Sequence, residues 1–122
     1  MTVQGFISTL PKKQKDIMTM MRLWILDLGP HVKEELINNI PSFHLNGALC
    51  YISHDEDSVS LCFNRGFELP KEYTFLESKG RKHVMSATFY GLTELDEHED
   101  EVKELLNEAA ALNGFLAKKR KG

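Results

Sequence analysis

A chain of 122 residues, 42% hydrophobic and 27% charged, suits one globular domain with a single core. Its net charge of −3 gives no basic footprint for nucleic acid, and no apolar run approaches the roughly 18 residues that span a bilayer. The first ten residues lack the pattern of a secretion signal, and two cysteines are too few for a disulfide framework or a four-ligand zinc site, so the expectation is a cytoplasmic protein with free thiols.

Residues 2–10 carry Val3, Phe6, Ile7 and Leu10 at helical spacing. Thr9 and Pro11 then mark a fresh helix start, because proline is tolerated where its missing N–H costs nothing. Ile17, Met20, Met21, Trp24, Ile25 and Leu28 recur at three- and four-residue steps, with Met18 and Leu23 widening the stripe. Such a broad face is expected to be core; an adaptable methionine groove for a ligand is the weaker reading. Gly29-Pro30 ends the helix, and residues 32–38 are expected to form another short helical turn.

Extended chain begins at Pro41, which disfavours helix in the residue before it. Asn46-Gly47 between apolar runs predicts a hairpin, since both residues accept positive φ. Strands follow at residues 49–53 and 58–64, the latter alternating Val59, Leu61 and Phe63 with Ser60, Cys62 and Asn64. Two registers remain open between them. A turn at residues 55–57 sets Cys50 opposite Cys62, whereas pairing Ser53 with Ser58 moves Cys50 to the Val59 face. Both thiols are expected to stay reduced, as small half-buried hydrophobes. Arg65-Gly66 breaks the strand, Leu69-Pro70 leads to a helical segment at residues 72–77, and a last strand is expected at 82–89.

Six of the eight residues 94–101 are acidic. Behind them Val102, Leu105, Leu106, Ala109, Leu112 and Leu116 predict an amphipathic helix over residues 100–116, with a flexible basic tail at 117–122. Acids at a helix N-terminus complement its dipole, and Asp96 with Glu99 forms a candidate capping pair. Both long helices need cover for an apolar stripe. The expected fold is therefore α+β, an antiparallel sheet of four or more strands with the N- and C-terminal helices packed on one face.

Several short motifs together resemble the YdhG-like domain family of small bacterial proteins. They are Pro41-x-Phe43, Asn46-Gly47, Leu49-Cys50-Tyr51, Phe63-x-Arg65-Gly66-x-x-Leu69, Leu76-Glu77-x-x-Gly80-Arg81-Lys82-His83-Val84 and Glu108-Ala109-Ala110-Ala111-Leu112-Asn113. Asn38-Asn39 departs from the aromatic-Gly pair usual in that family before the proline. The resemblance implies the same α+β architecture, and some relatives look frataxin-like and have been proposed as iron chaperones.

Two functional expectations compete. The first is a non-enzymatic binding or adaptor module for an unidentified small molecule or protein, with an anion-accepting site at one end of the sheet. Arg65, Arg81, Lys82 and His83 supply its charge, and Pro41, Phe43 and Tyr51 are further candidate ligand contacts. Against it, Arg65 has a structural alternative in a salt bridge to Glu68 or Glu77, and His83 one as a satisfied half-buried side chain. No cofactor is expected on this reading, and a homodimer is left open. The second is an iron-binding surface made by Asp96, Glu97 and Asp100, with His98 as an additional candidate. No Ser/His/Asp or Cys/His constellation and no phosphate loop is present, so the reading leans away from an enzyme.

Overall fold

The computed structural model describes residues 1–69, 73 and 75–121, with backbone alone at Lys121. Helix α1 (Val3–Ser8) starts where Thr2 Oγ1 accepts the Gly5 N–H at 3.0 Å, satisfying one of the donors that a helix start leaves unpaired. Pro11 precedes α2 (Lys12–Leu26), which buries Ile17, Met18, Met21, Trp24 and Ile25. Met18 and Met21 are fully enclosed, so this methionine stripe is core.

Residues 32–38 do not form the expected helical turn. They contain β1 (Lys33–Ile37), antiparallel to β2 (Ile40–His44). Asn38 and Asn39 sit at φ 50° and 62°, and Ile37 pairs with Ile40, which makes a two-residue hairpin. Paired positive φ angles suit a turn whose twist matches the strands, and asparagine tolerates them. Turn chemistry here outweighs the helical spacing of Val32 and Leu36.

Strands β3 (Ala48–His54), β4 (Val59–Phe63), β5 (Leu76–Glu77) and β6 (Met85–Phe89) complete a six-stranded antiparallel sheet, ordered β1-β2-β3-β4-β6-β5. The expected hairpin at Asn46-Gly47 is present, with both residues at positive φ. Beside it the register shifts: Phe43 pairs with Cys50 and His44 with Ala48, leaving Leu49 as a bulge residue. The bulge lets consecutive residues Leu49 and Cys50 both be buried.

Neither expected β3–β4 register occurs. His54 pairs with Val59 and Tyr51 with Cys62, so residues 55–58 form the turn. Asp55 sets this outcome. Its Oδ1 accepts the N–H groups of Asp57 and Ser58 at 2.9 and 2.7 Å and the Ser58 hydroxyl at 3.0 Å, drawing Ser58 into the turn. Cys50 consequently shares a face with Leu61 and Phe63, and Cys62 points to the opposite face. Both thiols are free, and no bridge joins them.

The last strand begins at Met85, not Lys82, because residues 78–81 make a turn of their own. Arg81 N donates to Ser78 O at 3.0 Å, with Lys79 and Gly80 at φ 50° and 80°. The segment expected to be helical at 72–77 ends in β5, while Glu72 and Thr74 lie outside the described residues. A short 3₁₀ turn spans Gly66–Glu68. A Cβ on Gly66 would collide with the backbone and Cβ of Met85, so this close approach requires glycine.

His98 separates α3 (Leu92–Glu97) from α4 (Glu99–Lys121). The basic residues after Leu116 therefore continue the helix and do not form a separate tail. Leu95, Val102, Leu105, Leu106 and Ala109 join the α2 stripe in one core with Phe43, Cys50, Ile52, Leu61, Phe63, Ala87 and Phe89. Both long helices thus cover one face of the sheet, as expected. Each also ties down a hairpin through a buried amide. Gln14 of α2 donates to Asp55 O and Glu56 O at 3.2 and 2.7 Å, and Asn113 of α4 donates to Leu45 O and Ala48 O at 3.0 Å each. Among the described residues, no helix is long and apolar enough to cross a membrane.

Candidate functional site

Alternation along β3, β4 and β6 sends one set of side chains into the core and the other to the face away from the helices. On that second face the register lines up one residue from every strand: Glu77, Ser86, Cys62, Tyr51, Ser42 and Glu35. The neighbouring row holds Thr88, Ser60 and Ser53. The face is therefore paved with hydroxyls around a thiol. Ser60, Cys62 and Ser86 are buried, while Tyr51, Ser53 and Thr88 are half-buried around them.

The 78–81 turn brings two cations onto this pavement. Half-buried Arg81 donates through Nε to Ser78 O at 2.9 Å, through Nη1 to the Tyr51 hydroxyl at 3.4 Å and through Nη2 to Ser86 Oγ. Ser86 accepts from the guanidinium, so its own proton is directed to Cys62 Sγ, 3.3 Å away. Lys79 Nζ donates to Thr88 Oγ1 at 3.1 Å, and Thr88 in turn shares a 2.7 Å hydrogen bond with Ser60. Every hydrogen-bond partner of Arg81 is neutral, and no carboxylate forms an ion pair with it or with Lys79 among the described residues. A guanidinium has five N–H groups. With three engaged by the described residues, one on each Nη remains for a ligand.

The electrostatics of Tyr51 record this arrangement. Burial pushes its phenol up, Cys62 adds to the rise, and the Arg81 charge pulls it back. Burial, followed by the neighbouring Cys62, drives the Cys50 thiol far up on the other face, so it stays neutral.

Of the residues expected to form the site, the structure brings together Tyr51 and Arg81. Phe43 is core, and Pro41 is buried at the same strand parity, so both face away from Arg81. Arg65 forms the anticipated ion pair with Glu68 at 3.4 Å and lines a separate groove. Lys82 and His83 are exposed, and the His83 carbonyl accepts the Phe67 N–H at 3.1 Å. Asp96, Glu97 and Asp100 are exposed, and among the described residues no three His, Cys, Asp or Glu side chains gather as metal ligands. His98 is otherwise engaged: Nδ1 contacts Glu101 Oε1 at 2.9 Å, and its ring centre lies 5.1 Å from Phe75 and 5.9 Å from Phe89.

Lys79, Ser60, Ser86 and Thr88 escaped the sequence reading. The signal for the three hydroxyl residues is their alternate spacing in β4 and β6, which becomes meaningful only once the register is known; Lys79 lies in the 78–81 turn and carries no such signal. The chain matches no protein-family model, no curated protein and no solved structure.

Proposed function

We propose that this chain is a non-enzymatic oxyanion-binding module whose site is Arg81 with Tyr51, Ser86 and Lys79 on the helix-free face. The observation that carries this reading is a half-buried guanidinium for which the described residues supply only neutral acceptors. Removing a cation from water without an opposing charge is costly, and an incoming carboxylate or phosphate supplies that charge. Its two free N–H groups suit a two-oxygen ligand, with Lys79 as a second charge beside them. The same reading takes the chain as a small, cytoplasmic, bacterial protein of YdhG-like type.

Titration with acetate, citrate and inorganic phosphate tests it, followed by calorimetry and by the Tyr51 phenol titration. Saturable binding is expected for the wild type, weakened in Arg81→Lys and lost in Arg81→Gln. Arg81→Gln removes the charge that lowers the Tyr51 pKa, so the phenol should titrate higher than in the wild type. A bound anion should push it in the same direction. If none of the three anions saturates, or if Arg81→Gln binds as well as the wild type, the proposal fails.

A further inference from the structure

A second cationic site lies where β4 leaves the sheet. Arg65, just beyond β4, meets Leu116, Lys119 and Arg120 near the end of α4 around a groove of about 390 Å³. We propose that this groove binds a diphosphate group, separately from the Arg81 site. Lysine and arginine at a helix C-terminus are explained by the dipole alone. Arg65 is not: it comes from a distant part of the chain and adds a third positive charge where the helix requires none.

Three cations lining one groove place a net positive potential there, and Glu68 offsets only Arg65. Their only ion pair among the described residues is Arg65 with Glu68, at 3.4 Å and largely exposed; Lys119 and Arg120 have none. The volume falls within the range of small-molecule pockets, around ~300–1,000 Å³, and exceeds what one oxyanion needs. Two linked phosphoryl groups provide the matching charge, with guanidinium forks from Arg65 and Arg120 and the compact ammonium of Lys119. Leu116 gives the groove one apolar wall, suited to the organic part of a diphosphate ester.

The test is a titration of the full chain with inorganic pyrophosphate, followed by backbone amide shifts and calorimetry. Saturable binding is expected, with the largest shifts at Arg65 and Lys119. Arg65→Gln and the double change Lys119→Gln/Arg120→Gln should each weaken it by about tenfold or more, the scale of one lost charge-assisted contact. Arg81→Gln should abolish any pyrophosphate shifts around Tyr51 and Ser86 while the shifts at Arg65 and Lys119 persist, which separates this site from the one proposed above. Thermal unfolding of each variant checks that the fold is intact. Absence of saturable pyrophosphate shifts at Lys119 and Arg120 overturns the inference, as do shifts there that survive Arg65→Gln or disappear with Arg81→Gln.

Discussion

One oxygen of Asp55 accepts three donors, and those bonds hold its carboxyl below the usual carboxylate range. A lowered folded-state pKa means a stabilising contribution that is present above the unfolded value, near ~3.9, and is lost as pH falls through the folded value. Asp55→Asn should therefore be less stable than the wild type at neutral pH, with the gap closing towards about pH 2. Chemical denaturation of both proteins at the two pH values measures it; a gap that stays constant would assign the effect to shape and not to charge. This residue also shows why the register was hidden. Aspartate, serine and glycine are easily recognised as turn formers, but which oxygen takes which donor decides whether Ser58 belongs to the turn or to the strand.

Among the elements, the two long helices were legible because their apolar stripes repeat over several turns. β1 was not, since Val32 and Leu36 satisfy a helical spacing as readily as a strand one. Its identity depends on Asn38 and Asn39 both accepting positive φ. The helices also clamp the sheet through Gln14 and Asn113, buried side chains whose amide N–H groups donate to backbone carbonyls at the two hairpins. Replacing either by leucine should cost about 1–3 kcal/mol, because the carbonyls lose their donor. Asn113→Asp should be worse than Asn113→Leu, since a carboxylate would face two carbonyl oxygens. Denaturant titration gives the ordering, and faster hydrogen exchange at the Leu45 amide would locate the damage in the β2–β3 loop.

Across the whole molecule, both thiols lie out of reach of solvent, each about 1% exposed, Cys50 in the core and Cys62 under the polar cover of the other face. A thiol-specific disulfide reagent should modify neither in the native protein and both after denaturation, at a rate set by opening of the sheet. Modification of Cys62 alone under native conditions would show that the Arg81 cover lifts independently of the core. The raised Cys50 pKa has its own sign. The native thiol stays neutral, so stability should decline as pH rises past the unfolded thiol value of roughly 8.5. Arg81 and Tyr51 were visible in the sequence as site candidates, but their partnership was not, because they meet across strands and not along the chain.

Strand alternation has an evolutionary corollary. These polar side chains of the outer pavement are joined along the backbone to residues of the core: Ser60 and Cys62 flank Leu61, and Ser86 and Thr88 flank Ala87. Point substitutions can therefore retune the charge and hydrogen bonding of this surface while the interior stays the same. An insertion or deletion of one residue within β4 or β6 has no such freedom, since it would turn apolar side chains to water and hydroxyls into the core together. Ligand preference in this scaffold should drift by replacement at fixed length, and length variation should be confined to the turns.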